Sequence, residues 1–157
     1  MKQPRIPMSF REKSAWATLL TTLFIYGAYF VALFGPEVYL GSPRTRTLMM
    51  LLGAVAFQIV AMIVIHIVFA TRADPETMDE RDAAIDLRAI RNGSLVLASG
   101  VALAIMAVVT QEALVRSATS DEWQLGPLMV GHLLLLCLVL AQATTSASQV
   151  FLYRRGS

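Results

Sequence analysis

Four apolar stretches, 15–34, 48–70, 95–115 and 125–147, constrain the fold of this chain more than any other feature. Each holds the roughly 20 residues that a helix needs to cross a hydrocarbon core of about 30 Å. The chain therefore reads as all-α: a polytopic membrane protein, one four-transmembrane-helix bundle spanning residues 1–157, with both termini cytoplasmic. Hydrophobic residues make up 56% of it and the mean hydropathy is +0.61, too apolar for a soluble domain of this length. The first stretch has the basic flank of a signal peptide. Its apolar core is longer than the usual 7–15 residues and no small-x-small site follows, so a retained anchor is expected.

Loop charge sets the expected orientation. Lys2, Arg5, Arg11 and Lys13 precede the first span; Arg72, Arg81, Arg88 and Arg91 lie in the connector between spans two and three; Arg154 and Arg155 close the chain. The two other connectors hold Arg44, Arg46 and Arg116. Ten basic residues against three place the termini and the central connector in the cytoplasm by the positive-inside rule. The compact design suits a bacterial inner membrane. The net charge of +2 reflects arginines at the membrane edge, not a surface for direct nucleic-acid binding. The single cysteine, Cys137, cannot form an intrachain disulfide.

Helix starts are also legible. Ser9-Phe10-Arg11-Glu12, Thr77-Met78-Asp79-Glu80 and Thr119-Ser120-Asp121-Glu122 fit the capping box, and Ser42-Pro43 offers a proline at a first helical position. Trp16, Trp123 and Tyr153 fall near the expected membrane edges. An unbroken third helix starting at Thr77 would exceed the bilayer thickness. Its first fifteen residues are expected to project into the cytoplasm, unless Asn92-Gly93 breaks the rod and lays them along the surface. This amphipathic segment, 77–92, is the most distinctive polar stretch. Asp79, Glu80, Arg81, Asp82, Asp86, Arg88 and Arg91 have two readings: a solvated helix, or a docking surface for a cytoplasmic protein.

Polar residues inside the spans are costly in lipid. Gln142, Thr145, Ser146 and Gln149 recur at i, i+3, i+4 and i+7, hence on one face that must look into the bundle. His66 and Gln149 fall at one depth, Gln58 and Gln142 at another. They read either as hydrogen-bonding glue between helices or as a small polar pocket open to the cytoplasm. The two histidines sit about 15 Å apart in depth on the helical rise, which argues against joint ligation of one haem iron. No zinc-type cluster accompanies them, so neither a metal nor a cofactor is expected. His132 could approach Glu112 near the outer end of helix three as a proton relay; the alternative is that Glu112 reaches water or Arg116.

The chain resembles a group of small bacterial four-span membrane proteins known only as a domain of unknown function. Three motifs carry the resemblance: Phe10-Arg11-Glu12-Lys13-Ser14-Ala15-Trp16, Asp79-Glu80-Arg81-Asp82…Ile85…Leu87-Arg88, and Tyr153-Arg154-Arg155-Gly156. The resemblance implies an acid at the position of Gln142 and a lysine near Thr145. Neither is present, which weighs against a charged intramembrane site. It also implies, by association alone, a small helix-turn-helix regulator as a cytoplasmic partner.

No nucleophile has a partner and no phosphate-cradling loop or paired catalytic carboxylates stand out, so no enzymatic activity is expected. Besides the lipid bilayer, the expected partner is a cytoplasmic protein held through residues 79–91, in a regulatory or assembly role. The alternative is a small-solute or ion transporter or channel, as a homo-oligomer, using the polar residues of helices two and four.

Overall fold

A computed structural model of the chain describes residues 10–35, 44–72, 79–117 and 126–155. Every element among them is helical: α1 (Phe10–Leu33), α2 (Arg44–Arg72), α3 (Glu80–Ser117) and α4 (Pro127–Arg155). All four contain stretches long and apolar enough to cross a membrane. The expected starts at Ser9, Ser42-Pro43, Thr77 and 119–122 lie outside the described residues. So does Trp123. Two starts can be corrected in position. The backbone carbonyl of Asp79 accepts from Ala83, so Asp79 caps α3. In α4, Pro127 takes the first helical position behind Gly126, whose carbonyl accepts from Met129 and Val130.

The polarity of the bundle is inverted relative to a soluble one. Phe24 and Val31 on α1, Met49 and Phe57 on α2, Leu103 and Met106 on α3 and Leu138 on α4 are exposed, whereas the most buried side chains include Thr22 and Ser146. Apolar surface this extensive would drive association in water and is stable in lipid. With four such helices, the chain is a multi-pass integral membrane protein.

Burial repeats every seven residues on the central pair. Ala15, Thr22 and Tyr29 on α1 and His132, Val139, Ser146 and Tyr153 on α4 are buried at that spacing. A seven-residue repeat keeps one seam facing its partner and suits the shallow left-handed crossing common in membrane bundles. Tyr26, Tyr29, Leu33 and Val139 form the apolar core of the seam, with Phe30, Met50, Leu51, Ala54 and Leu135 packed around it. α3 packs on the far side of α4, and α2 packs on α1. α2 is the most lipid-exposed helix, with 6% of its span buried.

The α3–α4 contact rests on small residues. Ala89 and Gly93 are buried four residues apart, and Gly100 and Ala104 repeat the spacing two turns further in. A Cβ on Gly93 would fall on the Thr145 hydroxyl and 2.9 Å from the Ala141 carbonyl oxygen; one on Gly100 would lie 2.8 Å from Cys137 Sγ. Such pairs let two backbones approach closely, which is where helix association in lipid gains its dispersion energy.

This contact corrects two expectations about the third helix. Asn92-Gly93 does not break it: α3 runs unbroken over 38 residues, roughly 57 Å at the α-helical rise. Nor do its first turns project freely. α4 continues to Arg155, and the start of α3 lies against its last turns and the first turn of α1.

Candidate functional site

At the end that holds Arg11, Arg81, Arg154 and Arg155, three helices are joined by a polar network. The Arg11 guanidinium reaches two carboxylates one helical turn apart on α3, Asp82 at 3.5 Å and Asp86 at 3.1 Å. Gln149 Nε2 of α4 donates to the other Asp86 oxygen at 3.1 Å. All three members of the ion cluster are about three-quarters buried. Beside it, Arg154 Nε donates to Glu12 at 3.3 Å while its guanidinium lies over the Trp16 ring. Further along α3, Asn92 Nδ2 donates to Ser148 Oγ of α4 at 3.2 Å.

The local sequence explains why these groups meet. Asp82, Ile85, Asp86 and Ala89 occupy i, i+3, i+4 and i+7 of α3 and so share one face. Ile85 and Ala89 on that face are buried, which carries both carboxylates inward. Asp82 and Asp86 therefore serve contacts within the chain, in place of the outward docking role expected of them. Asp79, Glu80, Arg81, Arg88 and Arg91 remain exposed.

Next to the network a cavity of about 610 Å³ opens between α1, α2 and α4. Arg11, Asp86 and Tyr153 line it near the arginine-rich end, and Thr18, Met62 and Gln142 line it two turns deeper. His66, Thr145, Ser146 and Gln149 share this lining, so the polar stripe of α4 and the histidine of α2 face one space. His66 is itself exposed at the rim, with Nδ1 2.9 Å from the Met62 carbonyl.

The other polar positions lie elsewhere. Gln58 Nε2 donates to Thr22 of α1 at 3.2 Å, tying α2 to α1. His132 is buried near the opposite end, stacked on Tyr29 with centroids 5.9 Å apart and Nδ1 against the Leu128 carbonyl. The expected approach of His132 to Glu112 is replaced by this stack on α1, while Glu112 stands exposed on α3. Seven residues separate Val139 from His132 along the α4 seam, so the ring is turned towards α1 and away from α3. Among the described residues no cluster of three His, Cys, Asp or Glu side chains could hold a metal ion.

Sequence reasoning missed Arg11 as the hub of the network and the Ala89–Gly93 and Gly100–Ala104 pairs as the α3 seam. The second had a signal, small residues four apart inside an apolar run. The first had none, because it depends on which helix neighbours α3. No protein-family model, no curated protein and no solved structure matches this chain.

Proposed function

We propose that the chain is a non-enzymatic component of the bacterial inner membrane, with both termini and the central connector cytoplasmic, that engages a cytoplasmic protein through the outward face of the first turns of α3. The observation that carries this reading is the division of that segment into two faces. Asp82 and Asp86 are committed to Arg11 and Gln149. What remains outward is Asp79 and Glu80 at the helix start, followed by Arg81, Arg88 and Arg91, with Leu87 and Ile90 72% and 55% exposed among them.

Arginines flanked by apolar anchors suit a partner with an acidic surface and an apolar groove, since charge pairs set partner choice and buried anchors supply affinity. The ten-to-three distribution of Lys and Arg supports the orientation. The resemblance to uncharacterised four-span proteins supports a small helix-turn-helix regulator as the partner, and with it a role in restraining or informing a transcription factor.

The test is a photoreactive amino acid at Leu87, activated in intact cells. A single protein adduct is expected, lost when Arg81, Arg88 and Arg91 are all changed to glutamate and absent when the probe stands at Phe57 on α2. Adducts with lipid alone, or a protein adduct indifferent to the triple change, would overturn the reading.

A further inference from the structure

The cavity beside Arg11 holds more polar groups than the fold uses. Thr144 and Thr145 return their hydroxyls to carbonyls one turn back, as such residues do in membrane helices. Thr18 and Ser146 do not. They are 8% and 2% exposed, line the cavity floor and make no hydrogen bond among the described residues. Gln142, an exposed residue of the lining, makes none either. Hydroxyls that face a cavity without a protein partner are available to water or a ligand.

The charge of the site has a sign. Two carboxylates, Asp82 and Asp86, share one guanidinium. Arg11 and Asp86 both line the cavity and Asp82 stands just outside it, so the cluster brings a net negative charge to the cavity edge. Asp86 gives one oxygen to Arg11 and the other to Gln149, and each oxygen retains a further acceptor position. Phe10, Met62 and Tyr153 add apolar and aromatic wall. Aromatic faces and a carboxylate together favour a poorly hydrated cation.

From this geometry we propose that the cavity binds a small organic cation: an ammonium or guanidinium head set against Asp86, and a short apolar body between Phe10, Met62 and Tyr153. The Gln142 amide and the Thr18 and Ser146 hydroxyls meet a polar group at the far end of that body. The volume of about 610 Å³ falls in the range of small-molecule sites and accommodates such a molecule. Arg11 is a positioning residue, which orients the Asp86 carboxylate. An anion meets the surplus carboxylate and is rejected.

The test is calorimetric titration of the full chain, in a neutral detergent, with tyramine, 4-hydroxybenzenesulfonate and tyrosol, which share a phenol hydroxyl and differ in charge. The cation is expected to bind saturably at one site, the anion not at all, and the alcohol about tenfold more weakly for want of a charge-assisted contact. Asp86→Asn should weaken cation binding by about tenfold or more. Gln142→Leu and Ser146→Ala should each weaken it by about fivefold, the worth of one neutral hydrogen bond, without altering thermal unfolding. These two variants decide the matter if Asp86→Asn fails to fold. The absence of saturable cation binding, 4-hydroxybenzenesulfonate binding as tightly as the cation, or an affinity indifferent to both Gln142→Leu and Ser146→Ala would overturn the proposal.

Discussion

Replacing Gly93 with leucine should separate α3 from α4 and lower the stability of the bundle by about 2–3 kcal/mol, the upper part of the range for overpacked interiors. The cause is local. Even a single added carbon meets the Thr145 hydroxyl and stands 2.9 Å from the Ala141 carbonyl, and that carbonyl belongs to the α4 backbone and cannot rotate away. Gly53 provides the control. It lies exposed on α2 with nothing within 4 Å of an added Cβ, so Gly53→Leu should leave stability unchanged or raise it by up to about 1 kcal/mol through helix propensity. Thermal unfolding in one detergent measures both. Gly100→Ala should fall between them, since the Cys137 thiol at 2.8 Å can turn aside.

The second large effect is expected at Arg11. Removing the guanidinium with Arg11→Ala leaves Asp82 and Asp86 one turn apart on the same helix face with no cation between them. Exposed ion pairs contribute up to about 1 kcal/mol, and losing one partner of a fully buried pair costs about 3–5 kcal/mol. The three side chains are 24–27% exposed, so solvent screens part of the charge and a loss of about 1–2 kcal/mol is expected. The diagnostic step is compensation. Adding Asp82→Asn and Asp86→Asn to Arg11→Ala should recover most of the loss, because it removes the repulsion that the single change creates. If the triple variant unfolds as early as Arg11→Ala, the cluster acts through packing of the arginine stem and its charges are incidental.

Both predictions rest on a segment that the sequence describes only in part. The four apolar runs reveal an all-α membrane bundle because span length and hydropathy follow directly from bilayer thickness. The same measure places the third span at 95–115, whereas α3 begins at Glu80. Hydropathy detects the lipid-buried part of a helix and is blind to polar turns held by neighbouring helices. The i, i+3, i+4, i+7 spacing from Gln142 to Gln149 shows that these residues share a face, since that is a property of one helix. It cannot show that the face borders a cavity with His66 and Asp86, which depends on helix order. The stack of His132 on Tyr29 is hidden for the same reason: tertiary neighbours, not local spacing, choose between Tyr29 and Glu112. Asn92-Gly93 misleads more actively. In a soluble helix the pair signals an end, but in lipid a glycine between Ala89 and Gly100 marks the closest approach of two helices.

That approach is the central claim, and a cross-link tests it most directly. A Cβ on Gly93 would stand 3.3 Å from Thr145 Cβ, close to the separation of about 3.5–4.5 Å that a disulfide spans. With the native Cys137 replaced by serine, Gly93→Cys paired with Thr145→Cys should form an intrachain disulfide on mild oxidation in native membranes, detected as a mobility shift reversed by reductant. Leu87→Cys paired with Thr145→Cys should not, because Leu87 points away from α4. A helix broken at Asn92-Gly93, with its first turns lying on the membrane surface, would give the opposite result: no bridge at position 93, or bridging at positions 87 and 93 alike.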